Sequence, residues 1–113
     1  MEDCLFCKII NGEVPSTKIY DDEYVYAFAD ISPQAPFHAV IVPKVHIKSA
    51  DEITPENSIY VAKVFEAVAK IAKENDLANG YRVVNNCGED GGQTVGHLHF
   101  HLLARRYLQW PPG

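Results

Sequence analysis

The stretch GHLHFHLLARR, residues 96–106, places a histidine at every second position. Side chains two residues apart share one face of a β-strand, whereas on a helix they scatter around the axis. The alternation therefore predicts a strand with His97, His99 and His101 in one row, with neighbours about 6.5–7 Å apart. The apolar residues between and beside them would face the core: Leu98, Phe100 and Leu102.

Three imidazoles on one face predict a functional site, and two kinds of site remain open. Two neighbouring histidines could bind one zinc ion. Alternatively, one could act as a nucleophile while the others bind or orient a substrate. The loop CGEDGGQT, residues 87–94, leads into the row, and successive N–H groups of a glycine-rich loop can bind an anion. Together they indicate a phosphate held beside an imidazole, and His38 could join them.

Composition restricts the class of protein. The chain has 113 residues, 47% of them hydrophobic and 22% charged, which predicts a single globular domain over residues 1–113. A net charge of −5 argues against nucleic acid as a partner. The sequence contains neither a run resembling a signal peptide nor an apolar stretch of membrane-spanning length. We therefore expect no membrane association and a cytoplasmic location.

The pattern along the chain predicts an α+β fold with about five mostly antiparallel strands and one main helix. The main helix is expected to begin at Thr54-Pro55-Glu56, with Thr54 as its cap, and to end near Asn75. A short helix is expected over residues 4–11, ending at Asn11-Gly12. The strands are expected at residues 18–20, 24–29, 38–43, 81–86 and 95–104.

The main helix carries more apolar surface than one sheet face can cover. A second apolar partner is one explanation, and burial in a larger core is the other. The apolar residues are Ile59, Val61, Ala62, Val64, Phe65, Val68, Ile71 and Ala72.

A Cys-x-x-Cys pair, Cys4 and Cys7, stands near the start of the chain. A redox pair usually lies in a βαβ setting, which this sequence does not indicate. Zinc would need two more ligands, and His46 and one histidine of the row could supply them.

Several motifs resemble the histidine-triad (HIT) superfamily, and within it the histidine triad nucleotide-binding, or Hint, branch. HLHFHLL (97–103) fits its His-x-His-x-His-x-x pattern with apolar x. The similar stretches cover almost the whole chain: DISPQAPFH (30–38), VPKVHI (42–47), GYRVVNN (80–86), DGGQTVGHLHFH (90–101) and the terminal WPPG (110–113).

The resemblance implies the HIT fold and a purine nucleoside phosphoramidase, which cleaves P–N bonds of nucleoside 5′-phosphoramidates and aminoacyl-adenylates through a nucleotidyl-histidine. Its implied ligands are AMP, GMP and their phosphoramidates. By motif position His99 matches the nucleophile, and the other active-site histidines match His38, His97 and His101. A proton for the leaving amine could come from His38. Dinucleoside polyphosphate hydrolysis and a binding or scaffold role are the alternatives.

The resemblance also implies the residues that bind the nucleotide. Asp30 matches the residue that binds the ribose hydroxyls. The apolar walls of the base pocket match Phe6, Ile9, Phe28 and Ile31. The phosphate or leaving-group side matches Asn86, Gly92 and Thr94, together with His99 and His101. Thr94 stands where many Hint proteins have Ser.

Two further expectations follow from the resemblance. A subset of bacterial-type members keeps the Cys-x-x-Cys pair, and the matching structural zinc ligands are Cys4, Cys7, His46 and His97. The branch is homodimeric, with the sheet continuing across the two-fold axis and the terminal tail near the partner's active site. No catalytic cofactor is implied.

Overall fold

The computed structural model describes residues 3–113 and has the predicted α+β architecture. Met1 and Glu2, the first residues of the expected domain 1–113, lie outside the described residues. A five-stranded sheet is ordered β1-β2-β3-β5-β4, and every neighbouring pair is antiparallel. Its strands are β1 (Lys18–Asp21), β2 (Val25–Ala29), β3 (Phe37–Pro43), β4 (Tyr81–Val84) and β5 (Phe100–Ala104).

Helices cover both faces of the sheet. The main helix, α2 (Ile59–Glu74), packs on one face, and the short helix α1 (Leu5–Ile10) packs on the other. The central strand β3 is consequently buried at every position. Leu98, Phe100 and Leu102 lie in the core on the α2 side, as the alternation predicts.

The last strand is shorter than predicted, because regular pairing begins at Phe100 and not at residue 95. The backbone of the bent segment before Phe100 forms hydrogen bonds with residues outside β3 instead of pairing with that strand. The amide of Leu98 donates to the carbonyl of Ile47 at 2.6 Å. The side chain of Asn85 donates to the carbonyl of His99 at 2.9 Å, and β4 likewise stops at Val84 instead of residue 86.

The main helix also begins later than predicted. Thr54 does not cap it; the α-helix starts at Ile59 after Ser58, which makes no side-chain cap bond. The side chain of Asn57 binds the backbone at both Glu52 and Thr54, so residues 55–58 form turns instead of the first helical turn. The predicted end near Asn75 is correct, since the helix ends at Glu74.

The outer surface of α2 keeps the excess apolar area expected from the sequence. Val64, Val68 and Ile71 are buried, whereas Phe65 remains 49% exposed. No helix among residues 3–113 combines the length and apolar character needed to cross a lipid bilayer.

Helix α1 ends as its sequence predicts. The sulfur of Cys4 accepts the amide of Cys7 at the start of the helix, and Asn11 closes the other end. Gly12 follows with φ +79°, the left-handed conformation that glycine adopts without strain. Phe6 and Ile9 face the sheet and pack against Phe28 and Val40.

Candidate functional site

A cavity of about 260 Å³ lies between α1 and the histidine face of the sheet. Ten residues that the sequence assigns to nucleotide binding line it: Phe6, Ile9, Phe28, Asp30, Ile31, Asn86, Gly92, Thr94, His99 and His101. Apolar walls and polar groups therefore share one cavity.

His99 is oriented by the backbone beside it. Its Nδ1 atom lies 2.7 Å from the carbonyl oxygen of His97. A carbonyl oxygen can only accept, so Nδ1 carries the proton and Nε2 keeps a free lone pair. The ring of Phe6 packs edge-on against His99, with centroids 5.0 Å apart. The arrangement gives the cavity one basic, unprotonated imidazole nitrogen.

His101 is fixed in the opposite tautomer. The amide N–H of Gln34 donates to Nδ1 of His38 at 3.0 Å, so the neutral ring of His38 carries its proton on Nε2. That proton is donated to Nδ1 of His101 at 2.8 Å. His101 therefore carries its own proton on Nε2. The cavity thus receives a lone pair from His99 and an N–H donor from His101.

Burial favours the neutral forms of His38 and His101. It lowers the pKa of His38, although the carboxylate of Asp30 acts in the opposite direction. Burial is also the main cause that lowers the pKa of His101, followed by its neighbours His99 and His38. Neutral rings at pH 7 are those that the hydrogen-bond pattern requires.

His38 itself does not line the cavity. Both of its ring nitrogens are engaged, one with Gln34 and the other with His101. The expectation that His38 protonates a leaving amine therefore does not fit this geometry. Its hydrogen bond to Nδ1 of His101 instead allows it to orient the ring of His101.

Asp30 and Ile31 stand at the start of the loop between β2 and β3. One carboxylate oxygen of Asp30 accepts the amide of Ser32 at 2.7 Å, and the other lies 3.4 Å from Nε2 of His38. Ile31 is 98% exposed although it lines the cavity. The side chain of Ile31 is thus exposed at the cavity, where a flat ring of a bound molecule could pack against it.

His97 points away from the cavity and is completely buried. Its Nε2 donates to the carbonyl of Pro43 at 2.9 Å, so Nδ1 keeps a free lone pair. That nitrogen lies 3.3 Å from the sulfur of Cys4 and 3.5 Å from the sulfur of Cys7. Nδ1 of His46 lies 3.4 Å from the sulfur of Cys7. His97 consequently joins the two cysteines and not the cavity.

The four-residue cluster has the thiol and imidazole donors that zinc prefers, and the three distances given above, 3.3, 3.4 and 3.5 Å, match the spacing of a tetrahedral site. The ligand atoms of Cys4, Cys7, His46 and His97 lie within 4.8 Å of one another. In a tetrahedral site with bonds of about 2.0–2.3 Å, neighbouring ligand atoms stand roughly 3.3–3.8 Å apart. The carbonyl of Pro43 acts as the outer partner that sets the His97 tautomer for a metal ligand.

A second group of possible ligands, Asp30, His38 and His101, also lies within 4.8 Å. Its hydrogen bonds do not suit a metal. For Nε2 of His38 to bind a cation, its proton would have to move to Nδ1, where the amide of Gln34 already points. This group therefore serves as a hydrogen-bond network.

The loop over residues 87–94 is more internally bonded than the sequence suggests. The amide of Gly88 donates to the side chain of Gln93, that of Gly92 to Glu89, and that of Gln93 to Gly88. These three N–H groups are not free for an anion, so the expected run of free backbone donors is wrong for them. The side chain of Gln93 also donates to the carbonyls of Lys48 and Val95, which holds the loop over the cavity.

Comparison with known proteins identifies the family. The model of the HIT domain matches residues 11–108. The chain belongs to the HIT family. A 14 kDa zinc-binding protein of Zea mays is 48% identical over 117 residues, which cover 96% of this chain and 87% of that protein.

Solved HIT structures superpose closely on this chain. A HIT family hydrolase from Legionella pneumophila Philadelphia 1 has a TM-score of 0.95 at 44% identity and covers 98% of this chain and 100% of its own. A histidine triad nucleotide-binding protein from Candida albicans has a TM-score of 0.85 at 34% identity, covering 96% of this chain and 83% of its own. This chain therefore has the fold of HIT hydrolases and nucleotide-binding proteins.

Two residues that act on the histidines of this site could not be assigned that role from the sequence. Asn85 and Gln34 act on the histidines through a side-chain amide and a backbone amide. Asn85 lies in the stretch GYRVVNN, residues 80–86, but the resemblance assigned a role only to Asn86. Nothing in the sequence indicated the backbone amide of Gln34, because every residue except proline has one.

Proposed function

We propose that this protein is a Hint-branch purine nucleoside phosphoramidase that acts through a nucleotidyl-histidine intermediate. The observation that carries the proposal is the pair of opposite tautomers, with a lone pair on Nε2 of His99 and a proton on Nε2 of His101. A nucleophile and a hydrogen-bond donor to a phosphoryl oxygen are what displacement at phosphorus needs.

The reaction has two displacements. Nε2 of His99 attacks phosphorus, the P–N bond to the leaving amine breaks, and the amine takes a proton from solvent at the mouth of the cavity beside Thr94. Nε2–H of His101 donates to a non-bridging phosphoryl oxygen throughout. Water then attacks phosphorus and releases one proton to solvent, the bond to His99 breaks with its electron pair returning to Nε2, and a nucleoside monophosphate is released.

The cavity walls fit a purine nucleoside. Phe6, Ile9, Phe28 and Ile31 offer apolar area to a flat base and no hydrogen-bond readout, so adenine and guanine should bind alike. The carboxylate of Asp30 can accept hydrogen bonds from both ribose hydroxyls. AMP, GMP and their phosphoramidates are therefore the proposed ligands.

We further propose that Cys4, Cys7, His46 and His97 bind a structural zinc ion. Four protein ligands would complete a tetrahedral shell and leave no position for substrate. Burial raises the pKa of the Cys7 thiol, so a bound cation is what would favour its thiolate. Thiolate ligands persist in a reducing compartment, which agrees with the expected cytoplasmic location.

The proposed activity predicts a clear order of substrates. Adenosine and guanosine 5′-phosphoramidates should be hydrolysed with kcat/KM values within about tenfold of each other. Diadenosine polyphosphate should be at least about a hundredfold slower. Liquid chromatography of released AMP or GMP measures all three. Faster cleavage of the dinucleotide would favour the polyphosphate hydrolase, and binding of AMP without turnover of any substrate would favour the binding or scaffold role.

We also propose a two-fold homodimer. Phe65 and the exposed alanines Ala62 and Ala69 lie within about 60° of one another around α2, beside the buried stripe. β4 is an edge strand, and its Tyr81 is exposed. Pairing about a two-fold axis would cover both the apolar strip formed by Ala62, Phe65 and Ala69 and the open edge of β4. The tail over residues 107–113 would then lie near the partner's cavity.

The dimer predicts a mass of twice 12.6 kDa by light scattering at micromolar concentration. Phe65→Glu should yield monomers, because each subunit would bury a charge at the apolar strip. Lys70→Glu, about 140° around the helix, is the matched control and should remain dimeric. A wild-type mass of a single chain would contradict the proposal.

A further inference from the structure

Arg106 lies just beyond β5, outside the cavity, and bonds to the loop between β2 and β3. Its Nε donates to the carbonyl oxygen of Gln34 at 3.0 Å. Among residues 3–113, no carboxylate lies within ion-pair distance of this guanidinium. Its strongest contact is therefore with a backbone group of the loop.

The same residue, Gln34, holds His38. Its amide N–H donates to Nδ1 of His38 at 3.0 Å, and its side chain donates to the carbonyl of Ser32 at 2.8 Å. The amide of Ser32 in turn donates to Asp30. The loop is thus bonded internally from Asp30 to His38, and Arg106 contributes a contact from just beyond the end of β5.

The contacts form a continuous path from Arg106 to the cavity. Arg106 binds Gln34, Gln34 binds His38, and His38 donates to Nδ1 of His101 at 2.8 Å. Without the amide of Gln34 at Nδ1, the ring of His38 could carry its proton on either nitrogen. In the other tautomer Nε2 of His38 would present a lone pair to His101, and His101 would lose its N–H toward the cavity.

We propose that Arg106 is a positioning residue that keeps the His38–His101 pair in its active tautomer by fixing Gln34. The catalytic part of this inference rests on the proposed phosphoramidase function. Arg106 touches neither substrate nor reacting atoms, so it acts only through Gln34 and the two imidazoles.

Arg105 provides a matched control. It carries the same charge one residue earlier, but its guanidinium donates to the carbonyl of Asn75 at 2.7 Å and lies over the ring of Phe37. Arg105→Met and Arg106→Met each remove one guanidinium. The first loses the bond to Asn75, and the second loses the bond to Gln34 and a 3.4 Å bond to the carbonyl of Tyr107. Only the second breaks the path to His38.

The experiment compares imidazole ¹⁵N spectra and kinetics of the full-length protein. In the wild type and in Arg105→Met, His38 should have its proton on Nε2. Arg106→Met should give a mixture of tautomers at His38 and lower kcat about tenfold, with KM changed less than about twofold. Arg106→Lys, which keeps a donor, should restore most of both signals.

A second pair of variants tests the link directly. Gln34→Pro removes the amide proton, whereas Gln34→Ala keeps it. The first should reproduce the altered His38 spectrum of Arg106→Met, and the second should resemble the wild type. An unchanged His38 spectrum in Arg106→Met or in Gln34→Pro would overturn the inference. The spectra need no substrate, so they test the role of Arg106 independently of the proposed function. The phosphoramidase proposal would fail on a different result: a wild-type protein that has the Nε2–H tautomer at His38 but does not hydrolyse phosphoramidates.

Discussion

Replacing His99 with alanine should lower kcat/KM for adenosine 5′-phosphoramidate by on the order of 10⁴–10⁶-fold, the loss typical of removing a nucleophile. Nε2 of His99 is the only lone pair that the histidine network leaves facing the cavity. AMP should still bind within about tenfold of the wild-type affinity, because the apolar walls and Asp30 remain. Calorimetry and an activity assay on one preparation measure both quantities.

His101→Ala is the matched comparison, since it removes a neighbouring imidazole that donates but does not attack. We expect a smaller loss of about 10²–10³-fold, comparable with removing one donor to a developing negative charge. Mass spectrometry of quenched reactions should detect a nucleotidyl adduct in His101→Ala and none in His99→Ala. Activity of His99→Ala above about one per cent would place the nucleophile elsewhere, and loss of all AMP affinity would assign His99 a binding or folding role.

Removing one of the four proposed zinc ligands should have the largest effect on stability. Cys4→Ser keeps an oxygen that can accept the amide of Cys7 at the start of α1, yet it removes a thiolate from the cluster. We expect the zinc content to fall from about one per chain to near zero. Tm should fall by about 10 °C or more, since metal at a hundred times its Kd contributes about 2.7 kcal/mol.

Cys87→Ser serves as the control. Cys87 is also partly buried, but it lies outside the four-residue cluster. Its substitution should leave zinc content unchanged and move Tm by less than about 3 °C. Elemental analysis of untagged protein purified without chelator decides the matter: wild-type protein with negligible zinc would refute the metal site.

The alternation in GHLHFHLLARR predicted the two faces of this segment correctly but not its backbone. Leu98, Phe100 and Leu102 are in the core, yet only residues from Phe100 onward pair as a strand. The periodicity of a sequence indicates which side chains share a face, whereas hydrogen bonding as a strand depends on the backbone of the neighbouring strand. β3 ends at Pro43, which has no N–H to continue the ladder.

The residues around the cavity could be named from motifs, but the hydrogen bonds that set their protonation could not. The resemblance to HIT proteins assigned Asp30, His99 and His101 to one site. The tautomers depend on a carbonyl at His97 and an amide at Gln34, and backbone groups leave no mark in a sequence. His97 likewise belongs to the row by spacing, whereas its ring turns toward the cysteines.

Helix α1 has only six residues, too few to be stable alone in water, and it separates the two proposed binding sites. Cys4 and Cys7 belong to the cluster of proposed zinc ligands, and Phe6, between them in the sequence, forms a wall of the cavity. Ordering this turn carries an entropic cost that two ligands would share. By thermodynamic linkage, any factor by which zinc tightens nucleotide binding is the factor by which the nucleotide tightens zinc binding. Nucleotide supply would thereby influence how long the protein retains the proposed zinc ion.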